Sequence, residues 1–154
     1  MVFNIFLILH LTGFVLFAGT VVADFVAFRQ FWKQYQLGKT SAIPALYAIS
    51  KFPLLMVAGL VLLILSGVGM MALTHGAFGE QIWFRIKFCL IIITILNGVL
   101  FGRRQLMRLR KDLSSNDQNA PGSIEKIKTN LRLFHFLQLA LIFSILVLSI
   151  FKFD

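Results

Sequence analysis

Cysteine is nearly absent from this 154-residue chain, where Cys89 is the only one. No disulfide can close within one molecule, and a single thiolate assembles neither a cysteine-held zinc site nor an iron–sulfur cluster. Acidic residues are also scarce, six against fifteen Lys and Arg. The three histidines, His10, His75 and His135, show no HExxH or comparable ligand spacing, which removes the hydrolase metal sites that such motifs build. Walker loop, dinucleotide fingerprint and nucleophile elbow are all missing, so any chemistry falls to a bound cofactor.

Apolar residues dominate instead. The chain is 58% hydrophobic, 14% aromatic and only 14% charged, with a mean hydropathy of +0.86, far above a soluble domain of this size. It reads as an all-α integral membrane protein. The formal net charge of +9 does not argue for nucleic acid, because basic loops between apolar spans are what membrane topogenesis produces. A hydrocarbon core needs about 20 mostly apolar helical residues. Four stretches qualify, at about 3–31, 53–73, 82–100 and 133–151, giving one four-helix bundle domain over 1–154. The first resembles a signal peptide, with Val21-Val22-Ala23 as a cleavage-like site, but no basic residue precedes it, and we expect it to be retained. Its length beyond a simple span predicts tilt or an extension past the membrane.

The Lys and Arg residues orient the bundle. Arg29, Lys33, Lys39 and Lys51 follow the first span, and Arg103, Arg104, Arg108, Arg110, Lys111, Lys126, Lys128 and Arg132 follow the third. The opposite side carries only Arg85 and Lys152. The positive-inside rule then places both termini outside and two basic connections in the cytoplasm, as for a multi-pass protein of a bacterial inner membrane. The basic charge is expected to attract anionic lipid of the bilayer. Within the second connection, Arg103 to Asp112 is expected to prolong the third helix, Ser114 to Ser123 to form a polar turn-rich stretch, and Ser123 to cap the helix leading to the fourth span.

Ionisable residues inside the spans are functional candidates by default, since a charge there costs several kcal/mol without water or a partner. Helix rise places His10 roughly 10 Å and Lys87 roughly 7 Å below the outer surface. Asp24 and His135 fall at the cytoplasmic level. His10 and His135 are thus roughly 20 Å apart in depth, too far to be the two axial ligands of one haem. His10 with Lys87, and Asp24 with His135, remain as pairs. His10, Phe17, Val21 and Asp24 share one helical face that should point into the bundle. Gly13 and Gly19 permit close helix approach or a flat ligand. Each residue has a plainer role open to it: His10 could hydrogen-bond a neighbouring helix, Lys87 could snorkel past Trp83 to water, His135 could face headgroups, and Asp24 could pair with Arg29.

His10-Leu11-Thr12-Gly13, the Pro53 to Met71 span with Gly67-Val68-Gly69-Met70-Met71, Trp83-Phe84-Arg85-Ile86-Lys87, Arg132-Leu133-Phe134 and the terminal Phe151-Lys152-Phe153 together resemble the HemJ-type membrane proteins. That family comprises haem-binding protoporphyrinogen IX oxidases, and its outline is shared by copper-resistance D-like proteins. The resemblance implies a haem b cofactor, with His10 and Lys87 as the residues tied to haem and activity. It also implies electron transfer from a porphyrinogen, or to or from a quinone. Arg85 would join Lys87 in holding haem propionates, Gly13 would lie beside the cofactor, and Asp24 and His135 would relay protons. The chain departs from the family where Phe28-Arg29-Gln30-Phe31-Trp32 and Ile95-Leu96-Asn97-Gly98-Val99-Leu100 stand: the family's further histidine and its Tyr-His pair are missing, and His135 and Gln138 lie where its last helix carries Asn-Glu.

Two other roles fit the same residues. One is a non-enzymatic small subunit or scaffold packed in a larger membrane complex. The other is copper handling, with His10, Met70 and Met71 as soft ligands. Gly59, Gly67 and Gly69 on the second span could also support a homo-oligomer.

Overall fold

The structure is a computed structural model that describes residues 1–75, 79, 81–102, 104, 107–109 and 121–151. Among the described residues the helices run in order α1 (Val2–Leu37), α2 (Lys39–Ile49), α3 (Phe52–Leu73), α4 (Ile82–Asn97) and α5 (Pro121–Ile150), with a π-helical segment, Gly98–Gly102, continuing α4. No strand occurs among the described residues. The runs Val2–Leu37, Thr40–Leu73 and Ile124–Ile150 are long and apolar enough to cross a membrane, and the chain is an integral membrane protein on that ground. Its outward surface agrees. Val15, Leu65, Val68, Leu133 and Phe143 are each more than 60% exposed, as lipid-facing side chains are and water-facing ones seldom are.

Two compact units divide the chain, residues 1–85 and 86–153, the division falling inside α4. In the first, α1 packs on α3 and α2. The buried side of α1 runs Gly13, Phe17, Thr20, Val21, Asp24, Phe28, Phe31 and Trp32, a three-and-four spacing widened by the adjoining pairs at 20–21 and 31–32 that keeps one seam facing a neighbour. Phe17, Val21 and Asp24 therefore do point inward, and His10, one turn before Gly13, is half-buried on the same side. Facing pairs run in opposite directions along the two helices. Phe6 meets Gly69, His10 meets Gly67, Gly13 meets Leu62 and Leu63, and Phe17 meets Gly59, so α1 and α3 are antiparallel.

Helix α2 occupies what the sequence presents as a basic connection. Gly38 ends α1 at φ 148°, a backbone region that side-chain-bearing residues rarely enter, and the chain turns there into α2. Ala42 and Ile49, seven residues apart on one face, are buried. Pro44 lies inside α2. Pro53 in the first turn of α3 has no N–H to donate, and the hydrogen-bond ladder breaks between α2 and α3 at that point. Even so, Ser50 and Lys51 keep nearly helical angles. At the far end of α3, Thr74 N bonds Met70 O at 3.2 Å, and His75 closes the helix at φ 51°, a left-handed cap.

In the second unit the π-helical segment contacts α5, and a β-carbon on Gly102 would come within 2.9 Å of Phe134 Cζ. The inner face of α5 carries Ile127, Leu131, Phe134, His135, Gln138, Leu141, Ile142 and Ile145, all buried. Helix α5 begins at Pro121, before Ser123, and runs without a break into the apolar stretch. Of the expected prolongation of the third helix, Arg104 and 107–109 are helical. The polar stretch at 114–120 lies outside the described residues.

Candidate functional site

His10 sits one turn from where α1 and α3 meet backbone to backbone. Close approach is made by glycine: a β-carbon on Gly13 would lie 2.9 Å from Leu63 N and 3.0 Å from Gly59 O, and one on Gly59 would lie 2.8 Å from Phe17 N. The obstacles are backbone atoms, which cannot rotate away. Gly13 thus serves the helix contact, with α3 filling the space beside it. One turn toward the N-terminus, the gap admits an imidazole. A β-carbon on Gly67 would meet His10 Cε1 at 3.4 Å and Nδ1 at 3.7 Å, so glycine here gives the ring its berth.

The hydrogen bonds at His10 decide its tautomer. Nδ1 lies 3.0 Å from Leu63 O and 3.0 Å from Ser66 Oγ. A carbonyl oxygen can only accept, so Nδ1 carries the proton. Ser66 agrees, because its one hydroxyl hydrogen is donated back to Leu62 O at 2.6 Å, leaving the oxygen to accept from His10. The neutral ring then holds its lone pair on Nε2. A histidine donating Nδ1–H to a backbone carbonyl while presenting Nε2 is the usual arrangement of a metal-binding imidazole.

Farther along the same seam Asp24 is buried beside Thr20, whose hydroxyl is donated to Leu16 O at 2.6 Å. Arg29 is exposed, its guanidinium 5.8 Å from the Phe25 ring centre. Phe28, Phe31, Trp32 and Tyr35 close the end of α1 with edge-on and stacked ring contacts 5.3–6.0 Å apart. Arg85 is exposed and donates Nε–H to Gly79 O at 3.3 Å. Trp83 is buried, and Lys87 is half-buried in the second turn of α4.

The second unit holds a separate buried polar group. His135, 3% exposed, donates Nδ1–H to Leu131 O of its own helix at 2.7 Å, so its neutral ring also bears the lone pair on Nε2. Three residues on, Gln138 accepts a 2.8 Å bond from Asn97 Nδ2, and both amides are buried. Thr94, one turn before Asn97, satisfies its hydroxyl on Leu90 O at 2.8 Å. His135 is therefore a core residue and does not face headgroups.

Three positions take roles that the sequence alone did not assign. Ser66 is a serine in an apolar helix, seven residues after Gly59 and so on the same face. That spacing is its signal. Asn97 and Gln138 are each the only amide in their apolar stretches, which marks them as groups that need partners in hydrocarbon. Among the described residues no three His, Cys, Asp or Glu side chains gather closely enough to hold a metal ion. No protein-family model, no curated protein and no solved structure matches the chain.

Proposed function

We propose that this chain is a haem b-binding membrane oxidoreductase of the HemJ type, with His10 Nε2 as an axial ligand. The observation that carries the reading is the Nδ1 contact with Leu63 O and Ser66 Oγ, both at 3.0 Å. It leaves the ligating lone pair on the other nitrogen. The donor set fits the cofactor. A porphyrin brings four nitrogens of its own and asks the protein for one or two axial groups, and one oriented imidazole meets that need without a cluster of protein ligands. Haem, when bound, supplies one-electron redox chemistry, which suits oxidation of protoporphyrinogen IX or electron exchange with a quinone.

The remaining roles follow from residue chemistry. Sequence depth brings Lys87 to the level of His10 on the outer side of a four-span, N-out/C-out bundle of a bacterial inner membrane. Its amine, if deprotonated, would ligate the iron, and as a cation it would hold a haem propionate. Arg85 is exposed and serves as a second propionate partner. Asp24 and His135, buried polar groups, take the proton-relay role.

The test is an optical spectrum of detergent-purified protein expressed with haem available. A Soret band that His10→Ala abolishes and His135→Ala retains supports the reading; no band in the wild type sinks it. Complementation of a strain lacking protoporphyrinogen oxidase then tests the activity. A scaffold role rests on the same His10 bond to α3, read as interhelical glue, and predicts a protein with no cofactor.

A further inference from the structure

Ser66 is the most deeply buried polar side chain in the first unit among the described residues, 2% exposed. Several hydroxyls in this chain's helices turn back to the carbonyl four residues earlier, as in Thr20, Thr94, Ser144 and Ser149. Ser66 makes that bond too, to Leu62 O, and its oxygen also meets His10 Nδ1. With its hydrogen committed to Leu62 O, the oxygen faces the imidazole as an acceptor. Leu63 O, the other acceptor at the same distance, belongs to the hydrogen-bond ladder of α3 as well. Ser66 thus supplies an acceptor that the ladder does not claim.

We infer that Ser66 is the positioning residue for His10, holding the proton on Nδ1 and so setting the basicity of Nε2 toward the metal it ligates. The ligand half of this statement rests on the haem reading; the tautomer half stands on the hydrogen bonds alone. Accepting from Nδ1–H pushes electron density onto the ring, which strengthens Nε2 as a donor and favours oxidised iron.

Two measurements separate the halves. In haem-free, full-length protein labelled with 15N-histidine, His10 is identified by the signal lost in His10→Gln. Its Nδ1 is expected to be protonated and its Nε2 unprotonated, and Ser66→Ala moves both shifts toward a mixture of tautomers. In haem-loaded protein, Ser66→Ala raises the haem midpoint potential. It also weakens haem affinity about tenfold, the low end of the 10–100-fold range for such supporting groups because Leu63 O remains. Ser66→Thr, which keeps the hydroxyl, restores both. A wild-type His10 protonated on Nε2 overturns the inference, as does a Ser66→Ala protein whose shifts and potential are unchanged. Absence of a Soret band with the Nδ1–H tautomer present removes the haem reading and upholds the positioning role. Should Ser66→Ala not yield monodisperse protein, the wild-type tautomer and the Ser66→Thr potential carry the test.

Discussion

Gly13 and Gly59 face each other backbone to backbone: a β-carbon on Gly13 would stand 3.0 Å from Gly59 O, and one on Gly59 would stand 3.1 Å from Gly13 O. This contact sets the distance between α1 and α3, and with it the reach of His10 to Ser66. Helices in lipid gain nothing from burying apolar area against each other, so close approach through small residues is a principal source of their association.

Gly13→Ala and Gly59→Ala should each destabilise the protein by about 1–3 kcal/mol, the usual cost of overpacking. Gly102→Ala should cost less than about 1 kcal/mol, because its obstacle is the end of the Phe134 ring, which can rotate aside. Unfolding of purified protein in mixed micelles reads the difference. Equal losses at Gly13 and Gly102 would contradict the packing described.

The Asn97–Gln138 bond should behave as a coupled pair. Asn97→Leu or Gln138→Leu alone strands one buried amide and should cost about 1–3 kcal/mol. The double variant should cost less than the two singles together, with a coupling near the ~0.6 kcal/mol average for such bonds in membranes and not beyond about 1.7. A double-mutant cycle measures this, and strict additivity would mean that the bond contributes nothing.

Val15, 70% exposed in the middle of α1, should tolerate Val15→Leu and resist Val15→Arg. Arginine at a span centre costs about 2.5–3.5 kcal/mol on insertion scales. A glycosylation-mapping insertion assay should show reduced insertion of the first span for the arginine variant alone. Equal insertion of both variants would place Val15 away from lipid.

Lys87 offers a test that divides its two roles. If it binds a propionate, Lys87→Arg keeps a cation and preserves haem content, whereas Lys87→Met lowers it about tenfold or more. If the amine ligates iron, both substitutions change the Soret and visible bands. Haem content and band positions unaffected by either variant would leave lysine to snorkelling, with no cofactor contact.

Much of this architecture is legible locally. Helical class and membrane character follow from hydropathy, and the buried face of α1 follows from the three-and-four spacing of Phe17, Val21 and Asp24, because both depend on neighbours along a single helix. The placement of His135 was less legible. A histidine three residues past Arg132 suggests headgroups, yet the helix turns it inward beside Gln138. Helix α2 was hidden by basic residues that read as a connection between spans.

What the amino-acid order determined alone is the helical class, the membrane character, the inward stripe of α1 and the short roster of polar groups inside the apolar stretches. Which polar group meets which was settled only by tertiary structure. His10 reaches Leu63 and Ser66 across 53 and 56 residues of sequence, and Asn97 reaches Gln138 across 41. Periodicity gives a residue's direction on its own helix and carries no information about the register of the helix opposite. That register came from glycines allowing two backbones into contact, and it turned a lone histidine into one with a defined proton.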